Sequence, residues 1–159
     1  AALLMEKVGG ITAPGDPLLS SNPCVAAAQT ASLEGMPPAP PGSPAAIEKA
    51  IAFAAAQRGE PYVWGATGPD SWDCSGLMLR AWGAAGVSLP RTSAAQSKVG
   101  TPVNVSDMQR GDLVFYGSPV HHVAMYLGEG KVIHAPRTGD VVRIADVRMM
   151  PITGVRRVG

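Results

Sequence analysis

The sequence predicts an α+β domain with N-terminal helices packed on a five- to six-stranded antiparallel sheet. Three observations carry this. Apolar residues recur at helical spacing around residues 47–54 and again in 77–82. Beyond Gly111 the character changes to short runs rich in valine, isoleucine and tyrosine, separated by glycine, proline and charged turns. All eight aromatic residues lie after residue 50, so the core belongs to the later part of the chain. Helices first and strands second is the α+β order.

The elements follow in turn. Ser43-Pro44 supplies an N-cap and an N1 proline for a first helix, and Gly59 its stop. Within it Ile47, Ala50, Ile51 and Ala54 form one apolar stripe. The segment EPYVWGATGPDSW is a loop. A second helix starts near Asp73-Cys74 and ends at Gly83 or Gly86, with Leu77, Leu79 and Trp82 as its apolar residues. Thr92 or Ser93 caps a short third helix through Ala94, Ala95, Gln96 and Lys98. Strands are read over 112–116, 122–127, 131–135, 141–147 and 154–158. Trp64, Trp72 and Trp82 are read as core.

Residues 1–44 differ from the rest. They hold 8 of the 15 prolines, no aromatic residue and only four charged ones, Glu6, Lys7, Asp16 and Glu34. Such a segment buries little. It is expected to be an extended arm that ends in a stiff spacer, PPAPPGSP, with the domain over 45–159. The arm carries a charge of −2 and the remainder +3. These opposite signs favour an intramolecular contact of the arm with the domain, over the region of Cys74 or away from it; a plain linker is the alternative. The arm has no basic start before a continuous apolar stretch, so no signal peptide is recognised in this chain.

Composition excludes several functions. A net charge of +1 without a basic stripe argues against a nucleic-acid partner. No run of eighteen apolar residues is present, so no membrane span is expected. Two cysteines, Cys24 and Cys74, cannot build a disulfide framework or a zinc ribbon. Cys24 is expected to be free or buried, not joined to Cys74.

The chemistry gathers at Cys74. A thiol with a pKa near ~8.5 is a nucleophile only as thiolate, and a helix N-terminus favours that anion. Cys74 sits at such a position, with Asp73 able to cap and Ser75-Gly76 small enough for a substrate to approach. A thiolate still needs a proton carrier, and the chain's three histidines, His121, His122 and His134, lie within 14 positions. If Gly128-Glu129-Gly130 is a three-residue hairpin loop, Leu127 opposes Lys131 and Ala124 opposes His134. His122 and His134 then share a face as diagonal neighbours about 7–8 Å apart at their α-carbons, and His121 faces the other side. A two-residue turn reverses this parity. Ordinary alternatives stay open at this point: a buried structural cysteine, surface histidines, or a satisfied His134. A zinc site made of the three lacks any recognised ligand spacing.

The segment PYVWGATGPDSWDCSGLMLRAW resembles the nucleophile region of the NlpC-type cell-wall peptidases, which are papain-like in fold. LPRTSAAQ (89–96), MQRGDLVFYG (108–117) and HVAMYLGEGKVIHAP (122–136) resemble later pieces of the family in the same order. Together they cover roughly 47–158, and the chain looks most like the Rip-type peptidoglycan endopeptidases of mycobacteria.

That resemblance implies a cysteine endopeptidase with Cys74 as nucleophile, His122 as general base and His134 as the residue that orients it. It implies that Tyr62 donates to substrate or oxyanion, and that Asp73 and Ser75 shape the pocket for the peptide's amino side. Arg91 and Ser93 match a pair near the cleft, with Arg91 either meeting a substrate carboxylate or supporting the site. Asp112 is read as a structural turn residue. The implied substrate is a peptidoglycan stem peptide, commonly cut between the γ-carboxyl of D-glutamate and diaminopimelate. No metal or organic cofactor is called for, and a secreted or cell-wall-associated protein is expected. A peptidoglycan-binding relative without hydrolysis, or a papain-like amidase or acyltransferase, is the competing reading.

Overall fold

A computed structural model of the chain describes residues 43–159. The expected arm, apart from Ser43 and Pro44, lies outside the described residues, and so does Cys24. The first helix, α1 (Pro44–Ala56), starts where the cap was read: Ser43 Oγ accepts from the Ala46 N–H at 3.1 Å. Ala46, Ala50, Ile51 and Ala54 are its buried residues, and Ile47 packs at the edge of the core. Helix α2 (Cys74–Ala84) has Ala85 as its C-cap, followed by Gly86, whose φ of +89° suits a glycine just past a helix C-terminus. The short α3 (Ser93–Gln96) is capped by Thr92.

Six strands form one antiparallel sheet: β1 (Thr101–Pro102), β2 (Leu113–Tyr116), β3 (His122–Gly128), β4 (Lys131–His134), β5 (Arg143–Asp146) and β6 (Ile152–Arg157), in the order β1-β6-β2-β3-β4-β5. The strand expected over 141–147 is shorter, and the last one begins earlier. Strand β1 and a 3-10 turn at Val105–Asp107 have no apolar pattern that would announce them.

Both sheet faces are covered. Leu113, Phe115, Val123, Met125 and Ile133 pack with α1 and α2. Val114, Tyr116, Ala124 and Val132 face the other way, under Val147, Met149, Met150 and Ile152. That second cover explains why β2, LVFY, is buried at all four positions instead of alternating.

The β3–β4 hairpin departs from the expected loop. Gly128 pairs with Lys131, so the turn has two residues, Glu129 and Gly130, with φ of +54° and +75°. A register shift between Tyr126 and Gly128 absorbs Leu127. The bulge restores the parity that a two-residue turn alone would reverse, and Met125 opposes Ile133 as the three-residue loop would have it.

Asp112 is a structural clamp. It is 2% exposed and accepts from Arg157 Nε at 2.9 Å, Arg157 Nη2 at 2.8 Å and the Gln109 N–H at 2.9 Å. It ties the start of β2 to the end of β6. Asp112→Ala leaves these donors facing a buried gap, and urea denaturation is expected to show a loss of about 3 kcal/mol. A change under 1 kcal/mol would remove the clamp from the fold's supports.

Candidate active site

Cys74 is the first residue of α2. Asp73, the N-cap, holds that helix start from several directions. Its Oδ1 accepts from the Gly76 N–H at 2.7 Å, and its Oδ2 accepts from the Gly65 N–H at 3.0 Å. Arg91 closes on the same carboxylate, Nη2 to Oδ2 at 2.7 Å and Nη1 to Oδ1 at 3.2 Å, and Nη1 also reaches Ser75 Oγ at 2.8 Å. Both terminal nitrogens of Arg91 are therefore engaged by protein groups. Gln96, fully buried, donates from Nε2 to the carbonyls of Ser75 and Pro90 at 3.1 and 2.9 Å. Its positioning role escaped the sequence reading because a lone glutamine on a short helix reads as surface. Gly76 has a different task from the one expected. A Cβ there would strike the Ala66 carbonyl, so the missing side chain lets the loop lie against the helix, not a substrate.

The histidines come from the opposite side. His122 opens β3 and His134 ends β4, and their rings meet at 2.8 Å, His122 Nε2 to His134 Nδ1. Tyr116, opposite His122 in the register, lies with its ring centroid 5.8 Å away and anchors its hydroxyl on the Val147 carbonyl at 2.8 Å. Both histidines are buried, at 5% and 4% exposure. With Nε2 taken, Nδ1 is the ring nitrogen His122 has left for the cleft.

Two cavities meet at Cys74. The first, about 440 Å³, is lined by Tyr62, Cys74, His122 and His134 and runs on to Arg137 and Arg143. The second, about 420 Å³, is lined by Tyr62, Cys74, Asp73, Ser75, Arg91 and Ser93. All eight residues read as site residues thus line one continuous cleft. His121 lines both cavities, contrary to the expectation that it faces away. It precedes β3 and so escapes the strand alternation; its ring packs over Gly117, where any Cβ would collide with it. Trp64 is also a correction. Trp72 and Trp82 are core at 2% and 1% exposure, but Trp64 is 84% exposed at the rim of the second cavity. Loop residues carry no periodicity from which burial can be read.

The electrostatics favour a neutral resting pair. Burial pushes the Cys74 thiol above its usual value and Asp73 adds to this; the backbone N–H groups of Val123, Ser75 and Cys74 itself pull the other way without prevailing. The expected pull of the helix start on the thiolate is present but outweighed. Burial pushes His122 down to about 3, with the charges of His134 and His121 adding. Burial and then Arg143 bring His134 down to about 4. Burial, then Cys74 and Asp73, raise Tyr62, which stays a hydroxyl donor.

The depressed histidines make stability depend on pH. An unfolded histidine titrates near ~6.5, so below that the unfolded chain binds protons that the folded one refuses. Folding stability is therefore expected to fall as pH drops from about 6.5 toward about 3, by up to roughly 1.4 kcal/mol per pH unit for each histidine. Urea titrations of His134→Gln should show a shallower acid limb; an unchanged slope would contradict a destabilisation by proton uptake at this histidine.

The sequence model of the NlpC/P60 family matches residues 59–154. A relative named a probable endopeptidase, from Corynebacterium glutamicum, is 47% identical over 116 residues, covering 72% of this chain and 56% of the relative. The γ-D-glutamyl-L-lysine dipeptidyl-peptidase of Bacillus subtilis is 41% identical over 91 residues, 54% of this chain and 31% of that one. The solved structure of the peptidoglycan hydrolase RipB from Mycobacterium tuberculosis superposes with a TM-score of 0.66 at 36% identity, covering 71% of this chain and 64% of that one. The chain spans about half or less of the length of the curated relatives it matches. With this fold, this cleft and a family match that covers the helix bearing Cys74 and the strands bearing His122 and His134, the chain belongs to the NlpC/P60 family.

Proposed function

We propose that this domain is a cysteine endopeptidase that hydrolyses peptidoglycan stem peptides at the cell wall, at the bond from the γ-carboxyl of D-glutamate to diaminopimelate. The observation that carries the reading is the cleft itself: a capped helix start bearing Cys74 and a buried His122–His134 pair line one cavity.

The neutral pair supports a general-base start. His122 carries its proton on Nε2, donates it in a hydrogen bond to His134 Nδ1, and leaves Nδ1 open as the base. The Cys74 S–H proton passes to that Nδ1 as the sulfur attacks the amide carbonyl. Backbone N–H groups at the start of α2, with the Tyr62 hydroxyl, stabilise the oxyanion. The C–N bond then breaks, the Nδ1 proton goes to the leaving amine, and a thioester remains. Water attacks the thioester with His122 taking its proton, and the thiol is restored.

His122 lines only the first cavity, so the leaving amine belongs there and the acyl part in the second. Ser75 and Ser93 in the second cavity then face the γ-glutamyl portion. Arg91, with both terminal nitrogens engaged, supports Asp73 and Ser75 in preference to meeting substrate.

The deciding experiment is incubation of the purified chain with diaminopimelate-type muropeptides, followed by product masses. Masses for cleavage after γ-D-glutamate support the reading. Release of the whole stem peptide from the sugar would make the protein an amidase, and bound but uncut peptide would make it a binding relative.

A further inference from the structure

The first cavity continues past the histidines to a rim that the mechanism above does not use. Arg137 and Arg143 stand there with a single carboxylate, that of Asp140. The backbone at this rim is fixed. The Asp140 N–H donates to the Arg137 carbonyl at 3.0 Å, and Gly139 has a φ of +89°, so 137–140 is a tight turn that needs its glycine. The Asp140 carbonyl accepts from the Tyr62 N–H at 2.9 Å, which ties this turn to the loop ahead of Cys74. Arg143 lies directly opposite His134 in the β4–β5 register.

The charges at the rim do not cancel. Asp140 Oδ1 accepts from the Val141 N–H at 2.8 Å, and Oδ2 forms an ion pair with Arg143 Nη1 at 3.5 Å, the outer limit of a hydrogen bond. Among the described residues, the Arg137 guanidinium has no protein acceptor. Two guanidinium groups and one carboxylate leave a net positive rim, on the side where the leaving group must sit. The lining of this cavity is partly apolar, from Ala145, Met149 and Met150, and suits a methylene chain.

Resting on the hydrolase reading above, we propose that Arg137 and Arg143 form an anion-binding subsite on the leaving-group side, which takes the side-chain carboxylate of a diaminopimelate-type residue and discriminates against a lysine-type residue that lacks it. Diaminopimelate and lysine differ in that one carboxylate, at the far end of the same methylene chain. A guanidinium pair is suited to read it, because planar donors match a carboxylate's two oxygens. The anion has a second effect. Both arginines depress the proton affinity of His134, and a carboxylate held between them offsets that field as positive charge develops on the neighbouring His122.

The test compares two muramoyl tetrapeptides identical except for diaminopimelate or lysine at the third position. For the unaltered protein, kcat/KM is expected to favour diaminopimelate by about tenfold or more, the scale of one desolvated charge contact, and the preference should shrink at high salt. In Arg137→Gln,Arg143→Gln the ratio should collapse toward one. Arg137→Lys alone should retain part of it, since the charge survives without the planar fork. A ratio near one in the unaltered protein, or a ratio unmoved in the double variant, would overturn the subsite while leaving the hydrolase intact. If neither peptide is cut, the hydrolase reading fails instead. Calorimetric binding of the same peptides to Cys74→Ala then decides the subsite: tighter binding of diaminopimelate that the double substitution abolishes supports it, and equal binding overturns it.

Discussion

Cys74→Ala is expected to lower hydrolysis of a stem peptide by about five orders of magnitude or more, the scale seen when a nucleophile is removed from a unit that works as a whole. Neither Tyr62 nor Ser75 can take over. Tyr62 is kept protonated by burial and by the charges of Cys74 and Asp73, and Ser75 is tied to Arg91 Nη1 at 2.8 Å. The fold should barely notice. The sulfur is a partly buried group at a helix start whose geometry is set by Asp73, Arg91 and Gln96, so a change within about 1–2 kcal/mol is expected in urea denaturation. Substitution of Cys24, by contrast, should leave the rate standing. Retained activity in Cys74→Ala, or lost activity in Cys24→Ala, would mean the nucleophile has been misassigned.

Some of this site was legible in the sequence because local rules dictated it. An aspartate before a cysteine at the start of an apolar helical stripe can hardly do other than cap, and Asp73 does so at 2.7 Å. The pairing of His122 with His134 was also legible, although by a route the sequence did not foretell: a two-residue turn corrected by a bulge at Leu127 gives the same parity as a three-residue loop. What could not be read depended on tertiary packing. His121 turns into the cleft because Gly117 leaves room for its ring. Trp64 stands in solvent because its loop is pinned by backbone bonds, Val63 N to the Trp72 carbonyl at 3.0 Å and Ala66 N to the Val63 carbonyl at 3.0 Å, which fix the chain without burying that side chain. The cover over the second sheet face comes from Val147 to Ile152, a stretch whose methionines carry no strand or helix period. Gln96 reaches the Ser75 carbonyl across 21 residues of sequence, beyond the range of any local pattern.

The two histidines of the pair should separate sharply on substitution. In the proposed reaction His122 accepts the thiol proton and returns it to the leaving amine, so His122→Ala is expected to lower kcat by about 10⁴-fold or more. His134 acts one step away. Its Nδ1 lies 2.8 Å from His122 Nε2; in the proposed mechanism it accepts that proton, which leaves Nδ1 of His122 open and steadies the imidazolium once it forms. Removing it lets the His122 ring drift and adopt the wrong tautomer part of the time, at a cost of about 10²-fold. The rescue pattern tests this role. His134→Gln keeps an acceptor for the Nε2 proton and should recover part of the loss; His134→Leu, equally able to fill the space, should not. A purely structural His134 would show both variants alike in rate and different only in stability. His121→Ala should be mild, because that ring sits at the exposed rim and has no hydrogen bond to His122 among the described residues. If His121→Ala cost more than His122→Ala, the base would be the rim histidine, and the buried pair would hold the fold instead of the proton.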